Sequence, residues 1–367
     1  MQITLKKNSL YIALTCLLVL LWNVQYAQTT PQDLKLENYR PQSIYRVPVS
    51  NIQKAKFPAI DIHSHPYAKS DAALAQWVKI MDAAGIQKTI IMTMSTGTKF
   101  DSLNAKYAAF GNRFEVWCGF DYTGYEEPGW SEKAVKELER CYRAGARGVG
   151  ELGDKGLGEL FSKPTRAYGM HVDDKRMKPL FEKCGELKIP VAIHVAEPYW
   201  MYQPMDSTND GLMNSYQWRI DLSKKGILNH EQLITTLENA VRENPRTNFI
   251  ACHLANCGYN LEIFGKLLDK YPNLYGEFGA RYAETSPIPK YMNAFCEKYQ
   301  DRLLYGTDMS FTAHMYSTTF RILESNDEHF YEIDLFNYHW PLYGFGLRNR
   351  VLKKIYRENA LKILHKE

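Results

Sequence analysis

Ten histidines occur in this 367-residue chain, and two of them stand one residue apart in the stretch FPAIDIHSHP. On a strand, residues i and i+2 share a face, so His63 and His65 would stand side by side. Two adjacent imidazoles fit a metal ion, or an edge strand with both rings in water. Other groups of similar chemistry end later apolar runs: Glu151 in ARGVGELG, His194 in PVAIHVA, His253 in NFIACHLA and Asp308 in RLLYGTDMS. Imidazoles bind zinc and similar borderline metals, and carboxylates offset the charge of a dication. Without a cation, four imidazoles and two carboxylates gathered at one place would carry a large desolvation cost. The set points to a divalent metal, zinc first and manganese as the alternative, with one or two ions.

The elements that must gather these residues follow a regular rhythm. After a polar lead-in over residues 28–56, strand-like apolar runs alternate with amphipathic helical stretches in eight successive units. Near-continuous apolar strands separated by helices mean a parallel sheet covered by helices. Eight such units, expected over residues 57–367, predict an α/β fold of the (β/α)8 TIM-barrel type, in which functional groups project from the C-terminal strand ends. A doubly wound open sheet is the alternative, weakened because no glycine-rich phosphate loop follows the first strand. Long loops are expected after strand five (residues 197–229) and after strand eight (residues 311–347), both rich in tyrosine and tryptophan.

With D-x-H-x-H at Asp61–His65, single histidines on strands five and six and G-T-D on strand eight, the chain resembles the amidohydrolase superfamily. The closing stretch YGFGLRNRVLKKIYRENALKIL is similar to the amidohydrolase-related branch. That resemblance implies His63, His65 and Asp308 as ligands of a first ion. His194 joins them in one-metal members, where His253 acts on the substrate; in two-metal members His194 and His253 hold a second ion. The strand-four Glu151 is similar to the bridging glutamate of the metal-dependent deoxyribonuclease branch, and in a one-metal site it would orient water or a ligand histidine. Asp308 and His253 are the expected catalytic residues. Arg281, after strand seven, is a candidate anchor for a substrate carboxylate or phosphate, and His314 a second substrate-binding candidate. Glu277 is nearby, facing either the barrel wall or a helix.

The implied reaction is hydrolysis of a small amide, lactone, ester or phosphate ester by metal-activated water. The alternative is nonoxidative decarboxylation of a small aromatic or unsaturated acid, and a binding barrel without chemistry is a third reading. The partner is then a small molecule, and a homo-oligomer is compatible with the sequence. Net charge is +4 with no long basic run, so no nucleic-acid surface is indicated. Lysines at 6 and 7 precede an apolar run from Leu10 to Trp22 and small residues near Ala27, the pattern of a signal peptide over residues 1–27. Export to the periplasm or medium is therefore expected, with no membrane attachment after cleavage. Six cysteines follow, at 118, 141, 184, 252, 257 and 296, with no C-x-x-C pair, and are read as mostly buried thiols.

Overall fold

A computed structural model describes residues 30–365. The signal peptide expected over residues 1–27 lies outside the described residues. The chain divides into two units, one ending at Pro41 and one beginning at Gln42. In the first, residues 30–40 are exposed and contain one 3-10 turn, Leu36–Asn38. The second holds the remainder of the expected lead-in as well as the barrel. Its early segment is pinned by side chains: Ser50 N–H and Oγ both donate to Asp327, at 2.9 and 2.7 Å, and Lys56 N–H donates to Glu324 at 2.9 Å.

Eight strands follow in order: β1 Ala59–Ser64, β2 Ile86–Met92, β3 Phe114–Trp117, β4 Val149–Asp154, β5 Val191–Val195, β6 Phe249–Ala251, β7 Leu274–Glu277 and β8 Leu303–Leu304. All pairings are parallel, in the orders β1-β2-β3 and β4-β5-β6-β7-β8. Backbone hydrogen bonds join the two groups into a TIM barrel. On one side Gly150 N–H donates to Cys118 O at 2.9 Å; on the other, Ile62 N–H donates to Tyr305 O and Asp308 N–H to His63 O, both at 2.9 Å. Every residue of β1 and β4–β8 is buried, as strands covered on both faces require.

Local sequence explains the helices between them. In Asp71–Ala84 the buried residues Leu74, Trp77, Met81 and Ala84 recur at helical spacing, Ser70 caps the start by accepting from Ala73 N–H, and Gly85 ends it at φ +78°. Asn229 and Gln232 form a reciprocal cap at the start of His230–Glu243.

One connection departs from expectation. The stretch after β8 is not an irregular loop but carries the helix Ala313–Glu324, capped by Thr312, with Met315, Tyr316, Thr319, Phe320 and Leu323 on its buried side. The final helical stretch runs as Asn349–Lys353, a π turn at Lys354–Glu358, and Asn359–Ile363. The segment after β5 has little regular structure beyond a 3-10 turn, Tyr199–Tyr202, and the short helix Leu212–Trp218. All six cysteines are buried and unbridged. No helix among the described residues is long and apolar enough to cross a membrane.

Candidate metal centre

The C-terminal ends of five strands bring His63, His65, Glu151, His194, His253 and Asp308 together. Ile60 and Ile62 of β1 belong to the apolar cluster inside the barrel, so a regular strand would turn the next odd-numbered residues outward. The pairing of β1 with β2 slips between Asp61 and Ser64, and beyond that slip both histidines reach the barrel mouth. Asp61 stays out of the cluster. Its carboxylate accepts from Thr307 Oγ1 at 2.7 Å and Thr307 N–H at 3.0 Å, tying the end of β1 to the residue before Asp308.

His253 is not on its strand. β6 ends at Ala251, and His253, Leu254, Ala255 and Asn256 follow with φ between 52 and 61°. Each such non-glycine residue costs about 1–2 kcal/mol and persists only where its surroundings over-determine it. Here Glu277 accepts the His253 backbone N–H at 2.7 Å, and Asn256 Nδ2 donates to Val195 O and Ala196 O at 3.0 and 3.1 Å.

The protonation pattern of the rings decides what the cluster can hold. His65 Nδ1 lies 2.9 Å from Met92 O, and His253 Nδ1 lies 2.6 Å from Gly279 O. A carbonyl can only accept, so both Nδ1 atoms carry the proton and both neutral rings turn a bare Nε2 inward. His63 does the same through Glu277, whose Oε1 is 3.0 Å from its Nδ1. The Nε2 atoms of His63 and His65 then face each other at 3.3 Å, lone pair to lone pair in the neutral rings. Asp308 Oδ1 lies 3.1 Å from His65 Nε2 and 3.6 Å from His63 Nε2. That convergence of lone pairs and negative charge fits a divalent cation.

Glu151 stands between two groups of ligands. Its Oε2 lies 3.5 Å from His65 Nε2 and 3.8 Å from His63 Nε2, while its Oε1 lies 2.8 Å from His194 Nδ1 and 3.2 Å from His253 Nε2. His63, His65 and Glu151 form one ligand trio, and Glu151, His194 and His253 another.

Electrostatics point the same way. Burial alone would pull the His63 imidazole down, but Asp308, Glu277 and Glu151 outweigh it and push it up to about 9. His194 is likewise pulled down by burial and carried up to about 9 by Glu151 and Glu197. Burial would raise the Asp308 carboxyl, yet His63 and His65 hold it well below the usual range. The site draws positive charge to its centre, as protons when no metal is bound. His253 goes the other way: burial, then His194 and Arg281, keep it neutral.

Beside the cluster opens a cavity of about 290 Å3, lined by His194, His253 and Asp308, by the cations Lys155 and Arg281, by Glu197 and Glu284, and by apolar groups that include Trp218, Leu335, Phe336 and Tyr338. A larger hollow, about 550 Å3, lies by Phe57, Ile86 and Arg113, where β1 to β3 begin, and no histidine lines it. Arg281 is held from several sides: its Nε donates to Asn256 Oδ1 at 2.7 Å, and Glu197 Oε2 lies 3.5 Å from its Nη2.

His314 does not reach the cavity. It lies in the first turn of Ala313–Glu324, largely exposed, with its Nε2 2.9 Å from Glu332 Oε2. The helix aims it at a neighbouring loop, which its position six residues after Asp308 did not foretell. Three residues without a role in the sequence reading do belong to the site. Glu277 is fully buried and faces the ligands, accepting from His63, His253 N–H and Gly279 N–H. Glu197 lies 3.8 Å from His194 Nε2, and the Tyr67 hydroxyl donates to Asp308 Oδ1 at 3.0 Å. Glu277 sits at the end of β7, as the ligands sit at the ends of theirs, and that position was the available signal.

Comparisons with known proteins agree with this architecture. Among curated proteins none matches the sequence. The chain is similar in structure to 2,6-dihydroxybenzoate decarboxylase from Rhizobium, with 17% identity, 84% of this chain and 99% of that one covered, and a TM-score of 0.50. It is similar also to dihydroxybenzoic acid decarboxylase from Polaromonas sp. JS666, solved with bound manganese and the inhibitor 2-nitroresorcinol, at 15% identity, 84% and 97% coverage and a TM-score of 0.52. A TIM-barrel protein from Bordetella bronchiseptica matches at 15% identity, 84% and 98% coverage and a TM-score of 0.52. The family model described as amidohydrolase spans residues 60–366, which takes in all eight strands but the first residue of β1 and every residue of the cluster, and the chain belongs to that family.

Proposed function

We propose that this protein is a metal-dependent nonoxidative decarboxylase of a small aromatic carboxylic acid, acting after export. The observation that carries this reading is the cavity. Its wall of Trp218, Phe336, Tyr338 and Leu335 suits one ring, and the cation Arg281 suits an acid, directly beside Asp308 and His253. The decarboxylases that share the fold act on ligands of that kind, and one of them holds manganese, so manganese joins zinc as an expected ion.

His63, His65, His194 and Asp308 would hold the ion, with Glu151 as a further ligand and Glu277 fixing the ring of His63. When bound, the ion supplies positive charge against which a carboxylate and a neighbouring oxygen of the substrate are held. The chain's own groups do the rest. Arg281 orients the acid. Asp308, the carboxylate that belongs to both cluster and cavity, accepts a proton from the substrate hydroxyl and returns it to the ring carbon that bears the carboxylate. The electron pair of the breaking C–C bond restores the aromatic ring, and carbon dioxide leaves. His253, neutral and fixed by Gly279, accepts a hydrogen bond from the substrate or polarises it.

A second reading, hydrolysis, is favoured by one observation. Glu151 turns one oxygen to each of two ligand trios, an arrangement that suits two ions and activation of water. Assays of the manganese- and zinc-loaded protein separate the two readings. Loss of carboxylate from hydroxybenzoates, with no turnover of lactones, esters, amides or phosphate esters, supports decarboxylation. The converse supports hydrolysis.

A further inference from the structure

Lys155 has no part in the chemistry just described, yet it is built into the cavity wall. It follows β4 directly, four residues after Glu151, on a turn held by Asp154, whose buried carboxylate accepts Gly156 N–H at 3.0 Å, Gly158 N–H at 3.1 Å and the His171 ring at 2.7 Å. Its ammonium pairs with Glu197 and stands 5.9 Å from the centre of the Trp218 ring. Glu197 also faces Arg281, at 3.5 Å from Nη2. Two cations thus share one protein carboxylate at the edge of a cavity meant for an acid. Glu284 also faces Arg281, 3.6 Å from its Nε, and burial pushes its carboxyl up to about 7.

We propose that Lys155, beside the Arg281 that orients the first carboxylate, forms an anion subsite for a second carboxylate on the substrate, so that the preferred ligand is an aromatic dicarboxylic acid. The inference rests on the aromatic-acid reading of the cavity. Lys155 suits the role because its side chain remains 41% accessible while its backbone is fixed. Trp218 offers it a ring face when it leaves Glu197 for a ligand.

The test is calorimetric titration of manganese-loaded protein with benzoate, isophthalate and terephthalate. Wild-type protein is expected to bind one dicarboxylate about tenfold more tightly than benzoate, the worth of one charge-assisted contact. Lys155→Met should abolish that preference while benzoate affinity, metal content and Tm stay as they were, and Lys155→Arg should restore it. A preference that survives in Lys155→Met overturns the inference, as does an equal loss for all three acids, the mark of a lysine that only shields Glu197. Binding of benzoate with no preference in the wild type overturns the subsite but leaves the decarboxylase reading intact. Binding of none of the three overturns both.

Discussion

At the scale of single residues, the site depends on which nitrogen of each ring carries a proton. Backbone carbonyls set this for His65 and His253, whereas His63 relies on Glu277. Glu277→Gln retains shape but removes the charge that favours Nδ1–H on His63, and metal affinity should fall by about 10–100-fold, read by competition with a chelating dye. A second consequence concerns pH. In metal-free protein the His63 and His194 rings sit up to about 9, against an ordinary value of 6.5, because carboxylates outweigh burial. A group raised on folding adds stability that is complete below its unfolded value and is lost as pH rises through its folded one. Chelator-treated protein should therefore lose thermal stability between about pH 6.5 and 9, whereas metal-loaded protein, whose rings are held without protons, should change little over the same range. Parallel melting curves check this, and identical pH dependence in both forms would contradict it.

At the scale of elements, close packing at the strand ends leaves no room for adjustment. A Cβ added at Gly306, just past β8, would strike the Glu277 carboxylate and come within 3.0 Å of His63 Cβ. Gly306→Ala should displace Glu277, costing about 1–3 kcal/mol of stability and weakening metal binding, while circular dichroism still reports a folded barrel. Denaturant titration and metal titration measure the two effects. Much of this level was legible in the sequence. The apolar runs and the polar residues ending them located β1, β4 and β5, and the strand-end rule gathered six candidate ligands from positions far apart in the chain. Other features were not legible, for physical reasons. The slip in β1 and the left-handed turn at His253 are set by tertiary contacts rather than by propensity. The helix Ala313–Glu324 was hidden among aromatic residues read as loop, although Tyr316, Phe320 and Leu323 keep helical spacing.

At the scale of the whole molecule, the barrel joins groups that begin at His63 and end at Asp308, and its seam lies between those two residues. Asp308 N–H donates to His63 O, and Thr307 is tied to Asp61, so the contacts that close the barrel also hold candidate ligands in place. Asp61→Ala should therefore lower both Tm and metal stoichiometry, more than a substitution confined to the cavity, such as Arg281→Lys, which should spare both and weaken binding of the acid. The sequence pointed to hydrolysis first and decarboxylation second. The order reverses once the cavity is seen, because its ring-sized aromatic wall is assembled from Trp218, in the segment after β5, and from Phe336 and Tyr338, in the stretch after β8. The most direct test is to incubate 2,6-dihydroxybenzoate labelled with 13C in its carboxyl group with manganese-loaded protein, chelator-treated protein and Asp308→Asn. Labelled carbon dioxide and bicarbonate should appear with the loaded protein alone. No release from the loaded protein across a panel of hydroxybenzoates and aromatic dicarboxylates, or release that persists without metal, would contradict the account.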